Sequence, residues 1–130
     1  MTEPVWLPKA FFLRVHDQQI AQHGGLPGLR DEGLLESAIL RPCNAFSYGE
    51  TDTCTLAAMY AGGIIQNHPF LDGNKRTGFV AYLTFLKANG LELTAPMADR
   101  LAQTLMLAAS EIDEAAYADW LKRSTGHAGG

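Results

Sequence analysis

The sequence predicts an all-α fold, a compact domain of about six helices. Apolar residues recur at spacings of three and four through most of the chain, which is the period of an amphipathic helix. Gly- and Pro-containing segments divide this pattern, and no clear pair of strands interrupts it. With 130 residues the chain can bury one core, so we expect a single domain over 1–130, ordered from about 8 to 124.

The first two helices are bounded by glycine and proline. We predict a helix over Pro8–Gln22, ended by the Gly24–Gly25 pair and followed by an irregular loop to Arg30. Asp31 is an N-cap candidate for the second helix. Because proline disfavours helical geometry at the residue before it, this helix is expected to end before Pro42.

The next two helices flank the segment that carries the chemistry. A helix from Thr51 to about Asn67 is followed by His68, which Pro69 is expected to hold extended. The fourth helix is predicted from about Asn74 to Lys87, where an Asn-Gly pair supplies the left-handed stop.

Two further helices are predicted in the C-terminal part of the chain. Leu91 and Leu93 lie in an extended link, a candidate short strand with no clear partner. The fifth helix is predicted over Met97–Ala109 and the sixth over Asp113–Arg123. The glycine-containing tail, 126–130, is predicted to be disordered.

Composition and charge exclude several classes of function. The formal net charge is −4, so no global positive field draws the chain to nucleic acid. No apolar run is long enough to cross a bilayer, and the N-terminus lacks a signal-peptide pattern. Two free thiols is the plainer interpretation of Cys43 and Cys54, with a disulfide between them left open. We expect a cytoplasmic protein that binds neither DNA nor membranes.

Two cations lie at the N-terminal end of the predicted fourth helix, where positive charge is unfavourable. Lys75 and Arg76 fall in its first turn, beside the positive end of the helix dipole, which costs roughly 0.3–1 kcal/mol for each cation. Asp72 is the only acid adjacent in sequence, so the missing partner is expected to be an anion from outside the chain. A helix N-terminus preceded by Gly73 has the geometry of a phosphate site.

The same short segment holds a candidate base and a candidate metal ligand. His68 can accept a hydroxyl proton near neutral pH. Asp72 offers the hard oxygen that Mg²⁺ prefers, with nucleotide phosphates and waters completing the octahedron. Phe70 is the apolar residue that would anchor the segment to the core. The segment therefore predicts transfer of a phosphate-containing group from a nucleotide.

Each of these residues has a plainer interpretation when taken alone. His68 could be a solvated or capping side chain, Asp72 a helix N-cap, and the Lys75–Arg76 pair a solvated face. The functional interpretation depends on their coincidence at one helix terminus. Competing motifs are weaker, because the P-loop and HExxH patterns and a basic stripe for DNA are all missing from the sequence.

The segment His68–Thr77, HPFLDGNKRT, resembles the signature of the Fic/Doc superfamily, and specifically its Doc (death on curing) toxin branch. The likeness extends to GGLPG at Gly24–Gly28 and to a closing helix ending near Leu121, so it covers about 8 to 124. Proteins of this family are small α-helical domains that bind a nucleoside triphosphate such as ATP with Mg²⁺.

The resemblance implies a role for each residue of the segment. The motif histidine, His68 here, activates a hydroxyl on the target protein, and the motif acid, Asp72, holds Mg²⁺. Backbone N–H groups around Gly73 and Asn74, with the two basic residues, hold the phosphates. Four residues are implied to be catalytic: His68, Asp72, Lys75 and Arg76.

Two departures from the AMP-transferring Fic pattern favour transfer of phosphate. Lys75 replaces the second glycine of Gly-Asn-Gly-Arg, and Phe79 stands where a second arginine would be. Both are shared with Doc, which resembles a Fic enzyme with its nucleotide reversed so that it transfers the γ-phosphate. We therefore expect a protein kinase, with AMP transfer or a catalytically silent module that grips an acidic peptide as alternatives.

The resemblance also implies partners. The target resembles elongation factor Tu, whose modification stops translation and growth, and the antitoxin is a separate Phd-like protein that binds in trans. Self-inhibiting Fic proteins carry [ST]xxxE[GN], of which Ser110 and Glu114 match the first and fifth positions while Ala115 fails the sixth. We interpret this stretch as a capped helix start. The motif does not specify the adenine contacts, for which the Gly24–Arg30 loop is the first candidate.

Overall fold

The computed structural model describes residues 2–127, and helices dominate this part of the chain, which confirms the all-α prediction. The helices are α1 (Lys9–His23), α2 (Glu32–Ser47), α3 (Thr53–Ile65), α4 (Asn74–Ala88), α5 (Met97–Ala108) and α6 (Glu114–Arg123). The strands are β1 (Leu91–Leu93) and β2 (Thr125–His127).

α3 is the buried centre of the fold. It packs against α2, α4 and α6, and small residues on its surface allow the close approach. A Cβ on Gly63 would lie 2.6 Å from Ala38 Cβ of α2, and a Cβ on Gly78 of α4 would lie 2.6 Å from Ile65 Cγ1. The segment that carries His68 and Asp72 joins α3 to α4, so close packing of the two helices fixes both of its ends. We call it the site segment.

α2 does not end before Pro42, so that prediction was wrong. Pro42 lies inside the helix, which continues to Ser47. Leu35, Ala38 and Pro42 form the buried stripe of α2, facing the core. An interior proline costs a helix about 3 kcal/mol, and tertiary packing of such a stripe can override that local preference.

The prediction of a disordered tail was wrong for Gly126 and His127. Both lie in β2, which pairs antiparallel with β1 so that Glu92 faces Gly126 and Leu91 faces His127. The partner strand could not be recognised locally, because it lies far along the chain and is only three residues long. The rest of the predicted tail, 128–130, lies outside the described residues.

Within the described range, no helix combines the length and apolar character that a membrane span requires. Cys43 and Cys54 are both free thiols, as the plainer interpretation predicted. Burial raises the pKa of the Cys54 thiol, which makes it a poor nucleophile at neutral pH.

Candidate active site

The site is built on the N-terminus of α4. Gly73 precedes the helix in the left-handed region at φ 77, and no side chain caps the helix there. The first amide to bond within the helix is that of Thr77, which donates to Gly73 O at 2.9 Å. The earlier N–H groups of the first turn therefore point out of the helix end, where the dipole adds positive charge.

These groups open into a cavity of about 280 Å³, which we call the α4 cavity. Its lining comprises His68, Leu71, Asp72, Gly73, Asn74, Lys75 and Arg76. The four residues predicted to be catalytic thus surround one cavity. Among residues 2–127, no acid pairs with Lys75 or Arg76, which leaves both cations available to an external anion. Their catalytic roles stay predictions.

Phe70 anchors the segment from inside the core. Its side chain is 1% exposed, and its ring stacks on the buried ring of His16 with centroids 3.9 Å apart. His16 Nε2 lies 2.8 Å from the carbonyl oxygen of Asp72. Since a carbonyl only accepts, Nε2 carries the hydrogen and donates it. Sequence reasoning missed His16, because a histidine within an apolar helical stripe gives no sign of which loop it will contact.

The side chain of Asn74 closes the segment into a tight turn. Its Oδ1 accepts from Phe70 N at 3.0 Å, and its Nδ2 donates to Phe70 O at 3.0 Å. The residue is buried, so both hydrogen bonds are shielded from water. Asn74 can therefore meet a phosphate through its backbone N–H, as the family resemblance implied, while its amide holds the turn.

The loop from Gly24 to Arg30 braces the segment from outside. Arg30 Nε donates to His68 O and Nη2 donates to Asn67 O, both at 2.6 Å. Its backbone N–H donates to Pro69 O at 2.7 Å. One guanidinium thus fixes the two carbonyls that precede the proline. This bracing was not predicted, because Arg30 lies far from His68 in sequence and the loop carries no local signal of the contact.

The expectation that Pro69 holds His68 extended was wrong. His68 has φ 53, a left-handed conformation that non-glycine residues rarely adopt. Two contacts impose it: His68 N donates to Ile64 O at the end of α3, and Arg30 grips the His68 carbonyl. These longer-range bonds override the local preference of a residue before proline. They direct the imidazole into the α4 cavity.

Asp72 is oriented by the same loop. Leu26 N donates to Asp72 Oδ2 at 2.7 Å, which leaves the other oxygen for a ligand. The close approach needs Gly25, at φ 114, since a Cβ there would lie 3.1 Å from Asp72 Cβ. No cluster of three or more metal-binding side chains occurs in the part of the chain that the structure describes. A single carboxylate fits Mg²⁺ held largely by phosphate oxygens and water.

Glu114 does not line the α4 cavity. Arg41 donates from both terminal nitrogens to its carboxylate, at 2.7 and 2.6 Å, and the side chain packs over Gly62. Asp113 Oδ1 accepts from Ala116 N at 2.8 Å at the start of α6, so the predicted capped helix start is confirmed. Glu111 instead lines a second cavity, of about 430 Å³, together with His68 and Lys75. We call it the Glu111 cavity.

Comparison with known proteins identifies relatives over most of the chain. Residues 6–86 match the model of the Fic/DOC family. The chain is 36% identical over 119 residues to the protein kinase doc of Escherichia phage P1, covering 89% of this chain and 92% of that protein. It is 41% identical over 86 residues to the toxin Doc of Mycolicibacterium smegmatis, covering 64% of this chain and 65% of that protein.

Proposed function

Since the chain belongs to the Fic/DOC family, and to its Doc branch, we propose that it is the toxin of a toxin–antitoxin pair. In this proposal it transfers the γ-phosphate of ATP to a hydroxyl of a protein of the translation machinery, resembling elongation factor Tu, in the cytoplasm. The observation that carries the proposal is the α4 cavity, in which an imidazole, a carboxylate and two cations meet at an uncapped helix N-terminus.

The chemistry follows from this arrangement. His68 accepts the proton of the target hydroxyl as its oxygen bonds to the γ-phosphorus and the bond to the bridging oxygen of ADP breaks. Lys75, Arg76 and the N–H groups at the start of α4 stabilise the negative charge on the transferring group. Asp72 would hold Mg²⁺, which neutralises phosphate charge when bound. Phosphoryl transfer needs mainly positioning and charge stabilisation, so one rigid segment can supply it.

The braced segment supplies the positioning. Arg30, His16 and Asn74 each bond a backbone group of the segment rather than a reacting atom. A base held in this way loses little entropy when the target hydroxyl arrives. We infer regulation in trans by a Phd-like antitoxin, because Glu114, which matches the glutamate of self-inhibiting relatives, is committed to Arg41.

ATP labelled at either the α- or the γ-phosphate tests the reaction class. The purified chain is incubated with Mg²⁺, one labelled ATP and a candidate translation factor. We expect label to enter the protein only from the γ-position. Label entering only from the α-position would replace phosphate transfer by AMP transfer, and no label from either, with tight binding of the antitoxin, would favour a silent binding module.

His68→Ala should reduce transfer about 10²–10⁴-fold, the contribution of a positioned general base. The side chain is exposed, so the free energy of unfolding should stay unchanged. His127→Ala is the matched control, because His127 is an exposed histidine of β2 that does not line the α4 cavity. Full activity of the His68 variant would contradict the assignment of the base.

A further inference from the structure

Three cavities meet at the first turn of α4, and they share its cations. Besides the α4 cavity and the Glu111 cavity, a third of about 280 Å³ lies between α4 and α5. We call it the Phe79 cavity; it is lined by Lys75, Arg76, Phe79, Met97, Leu101, Thr104 and Leu105. Lys75 borders all three cavities, whereas Arg76 borders only the α4 and Phe79 cavities.

The position of His68 distinguishes the two flanking cavities. An acceptor hydroxyl has to reach the imidazole, and His68 lines the Glu111 cavity but not the Phe79 cavity. The Glu111 cavity is also the larger one and carries a carboxylate, which disfavours additional phosphate charge. An acceptor hydroxyl can therefore reach His68 from the Glu111 cavity, which leaves the Phe79 cavity for the part of the donor beyond its phosphates.

The chemistry of the Phe79 cavity suits the base of a nucleotide. Its walls are apolar, with the half-buried ring of Phe79 on one side and the α5 side chains on the other. Met97, Leu101 and Leu105 are 65%, 58% and 48% exposed, a row at helical spacing that the core does not use. Cavities that bind small molecules combine such walls with a few polar groups, here Thr104 and the two cations at the mouth.

We propose that the Phe79 cavity binds the base of the nucleotide donor, with the ring of Phe79 as the surface on which the base packs. This assignment rests on the proposed function, because it places the triphosphate in the α4 cavity. It replaces the Gly24–Arg30 loop as the candidate for the base, since the Leu26 N–H and the Nε and Nη2 of Arg30 already donate to Asp72, His68 and Asn67.

The test compares ATP with inorganic tripolyphosphate, each with Mg²⁺, by titration calorimetry on the whole chain. Tripolyphosphate has the phosphates without the base. We expect the unaltered chain to bind ATP at least about tenfold more tightly, which corresponds to about 1.4 kcal/mol. Equal affinity for the two ligands would overturn the proposal, because it would show that the base makes no contact of consequence.

Leu101→Ala and Phe79→Ala locate the base. Each should weaken ATP binding, by about tenfold for the aromatic residue, while leaving tripolyphosphate binding unchanged. Leu101 is the safer variant for folding because its side chain is more than half exposed. Leu40→Ala is the matched control, since this leucine of α2 is 55% exposed and lies outside the three cavities.

Other outcomes separate this proposal from the proposed function. Unchanged ATP affinity in both variants would overturn the base site. If the two variants then bound the antitoxin more weakly, the Phe79 cavity would be a contact surface for the antitoxin instead. If the variants bound ATP more weakly while the unaltered chain transferred no γ-phosphate, the result would support the base site and contradict the kinase. Failure of the unaltered chain to bind either ligand would overturn both proposals.

Discussion

Asn74 shows how one side chain can hold the turn at the start of α4 through backbone groups alone. Its amide makes two buried hydrogen bonds to the backbone of Phe70, one as acceptor and one as donor. Asn74→Ala should therefore leave a buried N–H and a buried C=O without partners, which costs about 1–3 kcal/mol for each group left unsatisfied. Urea denaturation should show a lower free energy of unfolding, and transfer activity should fall with it.

A matched variant separates this effect from loss of charge at the same helix end. Lys75→Gln removes an exposed cation and no buried hydrogen bond, so it should reduce transfer while leaving the free energy of unfolding nearly unchanged. An Asn74 variant as stable as the parent would show that the turn is held by other contacts.

The residue scale also shows what could be predicted from the sequence. The segment from His68 to Arg76 was recognisable because its members are contiguous and their chemistry is unusual for a helix start. His16 and Arg30 were not, because each contacts the segment across a long stretch of chain. Their role follows from tertiary packing, which local composition does not encode.

Helix boundaries were predicted well where local sequence preference and tertiary packing agree, and poorly where packing overrides the local preference. An aspartate cap at Asp31 marks the start of α2 in both sequence and structure, and Asp113 caps α6 in the structure. Pro42 locally favours a helix end, yet α2 continues through it because Pro42 packs in the buried stripe of the helix. β2 was not predicted, because a three-residue strand has little local signal and its pairing with β1 depends on a distant part of the chain.

The contact between α2 and α3 gives a test at this scale. Gly63→Ala should destabilise the fold, because the added Cβ would lie 2.6 Å from Ala38 Cβ and 3.0 Å from its Cα. Alanine favours a helix over glycine by about 1 kcal/mol. Relieving the clash requires the two backbones to separate, and overpacking of this kind typically costs about 1–3 kcal/mol. Urea denaturation measures the difference.

Gly126→Ala is the control for that substitution. Gly126 lies in β2 with nothing within 4 Å of the position of an added Cβ, so its replacement should have little effect. A Gly63 variant more stable than the parent would show that helix propensity outweighs the clash, and that α2 and α3 can separate at little cost.

At the scale of the whole molecule, the core contains three fully buried tyrosines. Tyr60, Tyr82 and Tyr117 are each 0% exposed. Burial raises the pKa of Tyr60 and of Tyr117 to about 12. Burial raises the pKa of Tyr82 further still, with a smaller contribution from the nearby Tyr117. Among residues 2–127, the hydroxyls of Tyr82 and Tyr117 have no hydrogen-bond partner, whereas that of Tyr60 accepts from Leu7 N.

These shifts predict that the fold weakens in alkali. In the unfolded chain a tyrosine loses its proton near pH 10, about two units before Tyr60 or Tyr117 does in the folded one. The folded state therefore binds more protons in this interval, so the contribution of these tyrosines to the free energy of unfolding should be constant below about pH 10 and fall as the pH rises toward 12. Urea denaturation at a series of pH values measures the slope.

Tyr82→Phe should make that slope shallower, because it removes the buried phenol whose pKa is raised most. It should cost little stability near neutral pH, since the lost hydroxyl has no hydrogen-bond partner in the described part of the chain. Tyr48→Phe is the control, because Tyr48 is 93% exposed and its replacement should leave the slope unchanged. An unaltered slope in the Tyr82 variant, or a loss of more than about 1 kcal/mol near neutral pH, would show that the hydroxyl is solvated or bonded in solution.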